Sequence, residues 1–344
     1  MPVTRKPRMR SSGMTVTLAD VAREGGVSQI TVSRVIRNKG AISQGTRERV
    51  EQAIQRVGYV PNRLAGSLAS AGSDLIGVIV PSLRSIIFHH VLRGVNEAIS
   101  AAGYRSVVGT TEFRRDEEER LVTSLLSWRP AAMIIVAFDH LESTELLLRA
   151  SKVNLVEITD TDREPVGVAL GFSHWRAGHE TGRYLIERGY RHFGFLAQDL
   201  EGDAYAARRY QGFREALHAA GLSVVGERIT SLPHDATLDG KAAMGALLAD
   251  HPKLDAVYFS HDEMAVGGYF YCLEAGIDVP GRLAIAGFNG IDLGQALPQP
   301  LTTVLSDRYQ LGRLAGQAAL ALIDGEDVAP STDVGFTLIR GATA

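Results

Sequence analysis

Apolar positions in the first sixty residues recur at helical spacing. Leu18, Val21 and Ala22 stand at i, i+3 and i+4, Val32, Val35 and Ile36 repeat the pattern, and Val50, Ala53, Ile54 and Val57 form a third stripe. Thr17 stands where an N-cap belongs, with Asp20 three residues on as a capping-box partner, and Ser28 and Ser43 precede the second and third stripes. Gly25 and Gly26 break the first helix and supply a turn, and Gly58 ends the third. Leu75 opens a different regime, in which short apolar runs alternate with amphipathic stretches. The expected strands are Leu75–Val80, Tyr104–Thr110, Ala131–Phe138, Leu155–Thr159, Phe193–Ala197, Ala256–Ser260, Leu283–Phe288 and Thr302–Leu305. Expected helices between them include Ile86–Ala101, Glu117–Ser127, Trp175–Arg188, Tyr205–Ala220 and Met264–Ala275. Such alternation predicts an α/β body with parallel sheets, and about 270 residues suits two lobes better than one.

Charge divides the chain in the same place. Residues 1–70 hold 12 Lys and Arg against 4 Asp and Glu, a net of +8, and the remainder holds 24 against 35, a net of −11. A cationic head on an acidic body suits a polyanion: basic side chains release counterions from phosphate, and the acidic part stays off the duplex. The second helix fits that use, because Gln29, Ile30, Thr31, Ser33 and Arg34 face outward, as a recognition helix presents residues to base edges. Gln29 suits adenine, Ile30 a thymine methyl and Arg34 guanine O6 and N7. The segment from Asn62 to Ala69 is too short for a stable isolated helix and is further weakened by Gly66, so it is expected to fold only when bound. The organisation read from these patterns is a flexible basic arm over 1–14, a helix-turn-helix head over 15–60, a hinge and linker over 61–73 and a two-lobed body over 74–344.

Catalytic and cofactor motifs do not emerge. Gly240-Lys241 lacks the earlier glycine of a phosphate-binding loop, and Gly171 to Ser173 lacks the closing glycine of a nucleophile elbow. Adjacent His89 and His90 on one helix cannot both face one metal. We expect no enzyme, no cofactor and no metal. The single cysteine, Cys272, suits a reducing cytoplasm, and no run of about 20 apolar residues predicts a membrane span. The basic start, Met1 to Gly13, lacks the apolar segment of a secretory signal.

The order of head, hinge and body resembles the lactose-repressor family of transcription factors, and the likeness covers nearly the whole chain. It rests on Thr17–Ile36 and Gly58–Ala69 in the head and hinge. In the body it rests on Leu75–Val78, Val91–Gly94, Phe172-Ser173, Gly189–His192, Gly212-Phe213, His261–Gly267 and Pro280–Gly287. Leu125–Trp128, Gly287–Gln295 and Gly335–Leu338 look more like the gluconate-repressor branch than the common family form. The resemblance implies a homodimer on double-stranded operator DNA, with operator choice at Gln29 and Ile30. It places Leu68 as an apolar wedge in the minor groove, beside Asn62 and Arg63, with a dimer contact as the alternative for Leu68. Thr17, Ser28 and Asn38 complete the expected DNA-binding set.

Ligands of open α/β sheets sit beyond the carboxyl ends of strands, and those ends offer Ser82, Glu157, His261, Asp262 and Asn289. The resemblance adds Arg209 as an effector-binding arginine, suited to forking a carboxylate. Phe88 is a stacking platform or a core residue, Arg209 alternatively an interlobe salt bridge, and His261 a ligand donor or a satisfied loop histidine. Asp262 reads better as a helix cap than as a ligand contact. Asn289 replaces an acid common in the family, which removes a charge hostile to an anion. The implied effector is a sugar acid such as gluconate, and the implied protein is a ligand-released repressor. The alternatives are a sensor of neutral sugars or other small metabolites, or a non-catalytic sugar-binding protein.

Overall fold

The structure is a computed structural model, and it describes residues 16–36, 40–60, 73–84, 86–136, 139–231 and 235–344. The chain divides into two units, Met1–Gly72 and Ser73–Ala344. Among the residues named above for DNA, Asn38, Asn62, Arg63 and Leu68 lie outside the described residues, as do the basic arm and nearly all of the hinge.

The first unit contains α1 (Leu18–Gly25), α2 (Gln29–Ile36) and α3 (Gln44–Val57). The three apolar stripes meet in one core of Val21, Ala22, Val32, Val35, Val50 and Ala53. Gly26 turns the chain in a left-handed conformation, φ 61°, which has no steric cost without a Cβ. Asp20 accepts from the Thr17 backbone N–H at 3.0 Å and from its hydroxyl at 2.7 Å. Ser28 caps α2 by accepting from the Thr31 N–H at 3.1 Å. Ser43 sits at the N-cap of α3, but its hydroxyl bonds the Thr46 hydroxyl and caps no backbone N–H.

The second unit has two lobes. One is built on a six-stranded parallel sheet of β1 (Leu75–Val80), β2 (Arg105–Thr110), β3 (Ala132–Val136), β4 (Asn154–Asp160), β5 (Val168–Phe172) and β11 (Ser331–Asp333), in the order β11-β5-β4-β3-β1-β2. The other is built on the parallel sheet β7-β6-β8-β9, from β6 (Phe193–Gln198), β7 (Val224–Thr230), β8 (Ala256–Phe259) and β9 (Ala284–Ala286). β10 (Thr303–Leu305) and β12 (Thr337–Ile339) pair antiparallel beside it. Central strands such as β1 and β3 read as unbroken apolar runs because both faces are covered.

Helices cover both sheets. Over the first lie α4 (Ile86–Ala101) and α12 (Arg308–Ile323) on one face, through Val91, Val95, Leu311 and Ala315. On its other face lie α5 (Arg115–Ser127) and α6 (Glu142–Ser151), through Val122, Leu125 and Leu148. Over the second sheet lie α7 (His174–Glu187) with α8 (Ala204–Ala219), and α9 (Ala236–Asp250) with α10 (Asp262–Glu274). A short α11 (Asp292–Gln295) follows β9. The chain changes lobe after β5, after β10 and after β11. β5, β7, α9 and α12 were not singled out by the apolar runs, and several helices begin one or two residues earlier than the periodicity predicts. No described helix is long and apolar enough to cross a membrane.

Candidate DNA-binding helix and ligand cavity

On the first unit, the inward residues of α2 leave Gln29, Ile30 and Arg34 exposed, with Thr31 and Ser33 half-buried. Ile30 is 67% exposed, an apolar side chain that this unit does not use in its own core. Arg34 and Arg47 have no carboxylate partner among the described residues, whereas Arg23 and Arg56 pair with Asp20 and Glu24. The outward face of α2 thus offers an amide, an apolar group and a cation, the chemistry that reads base edges.

In the second unit a cavity of about 660 Å³ opens between the lobes, at the carboxyl ends of both parallel sheets. Its walls include Ser82, Phe88, Arg209, His261 and Asn289, five of the six residues expected at an effector site. Glu157 is the correction: it does not line the cavity. Its carboxylate accepts from the backbone N–H groups of Val166 at 2.6 Å and Gly167 at 2.8 Å, and bonds His140 Nε2 at 3.2 Å. β4 runs on to Asp160, so Glu157 lies mid-strand and its side chain turns into the lobe, whereas Thr159, nearer the carboxyl end, lines the cavity. His140 bonds Glu118 through Nδ1 at 2.5 Å. Burial pulls the His140 pKa down, but the hydrogen bonds from Glu118 and Glu157 outweigh it and carry it up to about 9. Burial pushes Glu157 up, and His140 with the Gly167 N–H holds it below the usual carboxylate range.

Asp262 is neither cap nor wall. Its carboxylate accepts from the Thr303 hydroxyl at 2.7 Å and the Ile291 N–H at 3.0 Å, tying α10 to β10 and to the loop after β9. Burial pushes its pKa up to about 7 against those two bonds. Phe88 belongs to the first lobe's core and also lines the cavity.

Arg209 is 4% exposed, yet among the described residues it makes no ion pair, so no interlobe salt bridge is seen there. Its guanidinium lies 3.8 Å over the Phe288 ring. One terminal nitrogen donates to His174 Nδ1 at 2.9 Å and the other to the Ser260 carbonyl at 3.0 Å, leaving Nε without a partner. Since Nδ1 accepts, His174 carries its proton on Nε2 and donates to the Thr159 carbonyl at 3.0 Å. Burial, and then the Arg209 charge, hold the His174 pKa well below its ordinary value, so the ring stays neutral. Glycine sets the depth of this arrangement. A Cβ on Gly178 of α7 would stand 1.8 Å from the Arg209 carbonyl oxygen of α8, and one on Gly212 would stand 2.0 Å from that of Trp175. Only bare backbone brings the two helices close enough to seat Arg209 against His174.

His174, Phe288, Arg308 and Glu263 were missed as wall residues by sequence reasoning. The first had a signal: it directly follows Phe172-Ser173, at the N-terminus of a helix behind a buried strand. His261 Nδ1 is engaged with the Ser260 hydroxyl at 2.7 Å, and burial lowers its pKa against Glu263 and Asp203. Asn289 is backbone-bound on both sides, donating to the Val304 carbonyl at 2.9 Å and accepting from Arg308.

Seven described non-glycine residues have positive φ, and five of them line this cavity: Glu112, Phe113, Thr159, Asp199 and Asn289. Backbone of this kind persists where surroundings over-determine it, and it gathers at ligand sites. No group of three or more possible metal ligands occurs among the described residues.

Comparison with known proteins finds matches for both units. Residues 17–62 match the model for bacterial regulatory proteins of the lacI family, and residues 183–344 match a periplasmic binding protein-like domain. The chain is 34% identical over 330 residues to the HTH-type transcriptional regulator GntR of Escherichia coli (strain K12), covering 95% of this chain and 98% of that protein. A crystal structure of a LacI family transcriptional regulator from Silicibacter pomeroyi is 38% identical, with a TM-score of 0.91 over 95% of this chain and 99% of that one. The lac repressor dimer bound to operator and the anti-inducer ONPF is 26% identical, with a TM-score of 0.80 over 95% and 98%.

Proposed function

This chain belongs to the lacI family of bacterial regulatory proteins and is a DNA-binding transcriptional regulator; we propose that it is a cytoplasmic repressor of sugar-acid utilisation genes, released from its operator by an aldonate such as gluconate. Two heads of a homodimer engage two operator half-sites through Gln29, Ile30, Thr31, Ser33 and Arg34, supported by Thr17, Ser28, Asn38 and the hinge residues Asn62, Arg63 and Leu68. The effector occupies the cavity against Ser82, Phe88, Arg209, His261 and Asn289 and acts by binding, not by turnover. The observation that carries the anionic effector is Arg209: a buried guanidinium with no carboxylate partner and an unused Nε, on the wall of a cavity where Asn289 adds no charge. Ligand between two lobes biases their closure and thereby the pairing of the heads. The coupling is reciprocal, so an effector that weakens operator binding is itself held less tightly on operator. Fluorescence anisotropy of the full chain on operator DNA tests this. D-gluconate is expected to release the DNA, and D-glucose to leave it bound. Release by neutral sugars alone overturns the sugar-acid reading.

A further inference from the structure

Arg308 and Glu263 line the cavity, and among the described residues neither forms an ion pair. Arg308 is buried in the first turn of the 16-residue α12, where the helix dipole opposes a positive charge. It donates one hydrogen bond, to the Asn289 carbonyl, and makes no ion pair among the described residues. Glu263, in the first turn of α10, has a buried Oε2 with no hydrogen-bond partner. Burial lowers the Arg308 pKa most; the Asp262 charge and then the Glu263 charge favour its protonated form, and Arg209 disfavours it. Arg308 and Glu263 nevertheless stop short of a salt bridge. A cation, an acceptor-only group and an open volume between lobes are therefore left side by side. Other cavity carboxylates are already committed: Asp203 and Asp235 cap helices, Asp199 accepts from the Gly202 N–H, and Glu112 accepts from Ser82.

We propose that Arg308 and Glu263 set the specificity of the cavity. Arg308 takes the single carboxylate of the effector together with Arg209, and Glu263 accepts from hydroxyls on the adjoining carbons. An ionised carboxylate can only accept, so Glu263 rewards an O–H and repels a second anionic group. The site thus selects a polyhydroxy monocarboxylate and rejects the corresponding dicarboxylate. This rests on the sugar-acid reading above and sharpens it.

Calorimetry of the full chain with D-gluconate and D-glucarate separates the two claims. Wild type is expected to prefer gluconate by about 10-fold or more, the scale of one hydrogen bond to a charged group. Glu263→Gln should weaken gluconate and lift glucarate, closing most of that gap. Arg308→Leu should lose gluconate binding by at least about 10-fold, and Arg308→Lys, which keeps the charge without the fork, should lose less. Thermal melts by circular dichroism check that each variant is folded. Gluconate binding by wild type that survives both Arg308 substitutions, or a gluconate-to-glucarate ratio untouched by Glu263→Gln, overturns this assignment and leaves the sugar-acid reading standing. Failure of wild type to bind either acid overturns both.

Discussion

Arg209 and His174 form a donor–acceptor pair at 2.9 Å in which the histidine must be neutral, because its Nδ1 lone pair receives the guanidinium N–H. The unfolded chain protonates His174 below its ordinary value of 6.5, whereas the folded chain resists. Stability from this pair is therefore present above pH 6.5 and falls as pH drops below it. His174→Leu should cost about 1–3 kcal/mol by leaving Arg209 with an unmet donor. Urea denaturation at pH 5 and pH 7.5 reads the result, with the wild-type loss at acid pH diminished in the variant. An acid loss equal in both proteins would place the sensitivity elsewhere.

His140 runs in the opposite direction. Its pKa rises from 6.5 to about 9 in the fold, so the folded state holds the extra proton between those values. Its contribution is complete below pH 6.5 and disappears as pH rises through 9. Denaturation between pH 6 and 10 should show that decline in wild type. His140→Gln should flatten it and lower stability at pH 6, since two buried carboxylates then lose their cation.

Gly178→Ala tests the helix contact that seats Arg209. The added methyl meets a backbone carbonyl, which cannot rotate away, so α7 and α8 must separate. Overpacking of this kind typically costs about 1–3 kcal/mol. Both a lowered melting temperature and weaker effector binding are expected, with Gly103→Ala, in open space but at positive φ, as the control that carries backbone strain alone.

On the first unit, Arg34→Ala should weaken operator binding by about 1–3 kcal/mol and relax preference at one base pair. Arg47→Ala, if its contact is to phosphate, lowers affinity for all sequences and makes the salt dependence shallower. A gel-shift series across salt concentrations distinguishes them, and equal operator binding by wild type and Arg34→Ala removes Arg34 from the interface.

Arg209→Ala should leave the regulator on its operator at gluconate concentrations that release wild type, in a reporter strain or by anisotropy. Loss of the folded body in that variant would instead make Arg209 a structural strut.

Much of this was legible beforehand for one physical reason. The three stripes of the head and the runs of β1 and β3 are periodic, and burial follows periodicity. β7 escaped because Val224–Thr230 alternates around Glu227 and Arg228 at an edge. At the cavity, chain position identified which residues reach a strand end but not which way they turn. Asp262 lies just beyond β8 and Glu157 falls mid-strand once β4 extends to Asp160, and hydrogen bonds within the lobe claim both. Arg308 lies beyond the last expected strand, at the start of a helix that the apolar pattern did not reveal.

The φ of 124° at Asn289 limits what this position can become. Glycine enters positive φ without steric cost, asparagine and aspartate are the side chains most enriched there, and a β-branched side chain is strongly disfavoured. Asparagine and aspartate have the same outline and differ by one full charge. On the sugar-acid reading, position 289 is therefore expected to act as a polarity dial on a rigid mount: Asn289→Asp should repel the anion that asparagine admits, with the walls unmoved. A lineage carrying this fold can change what it senses at that point without rebuilding how it responds.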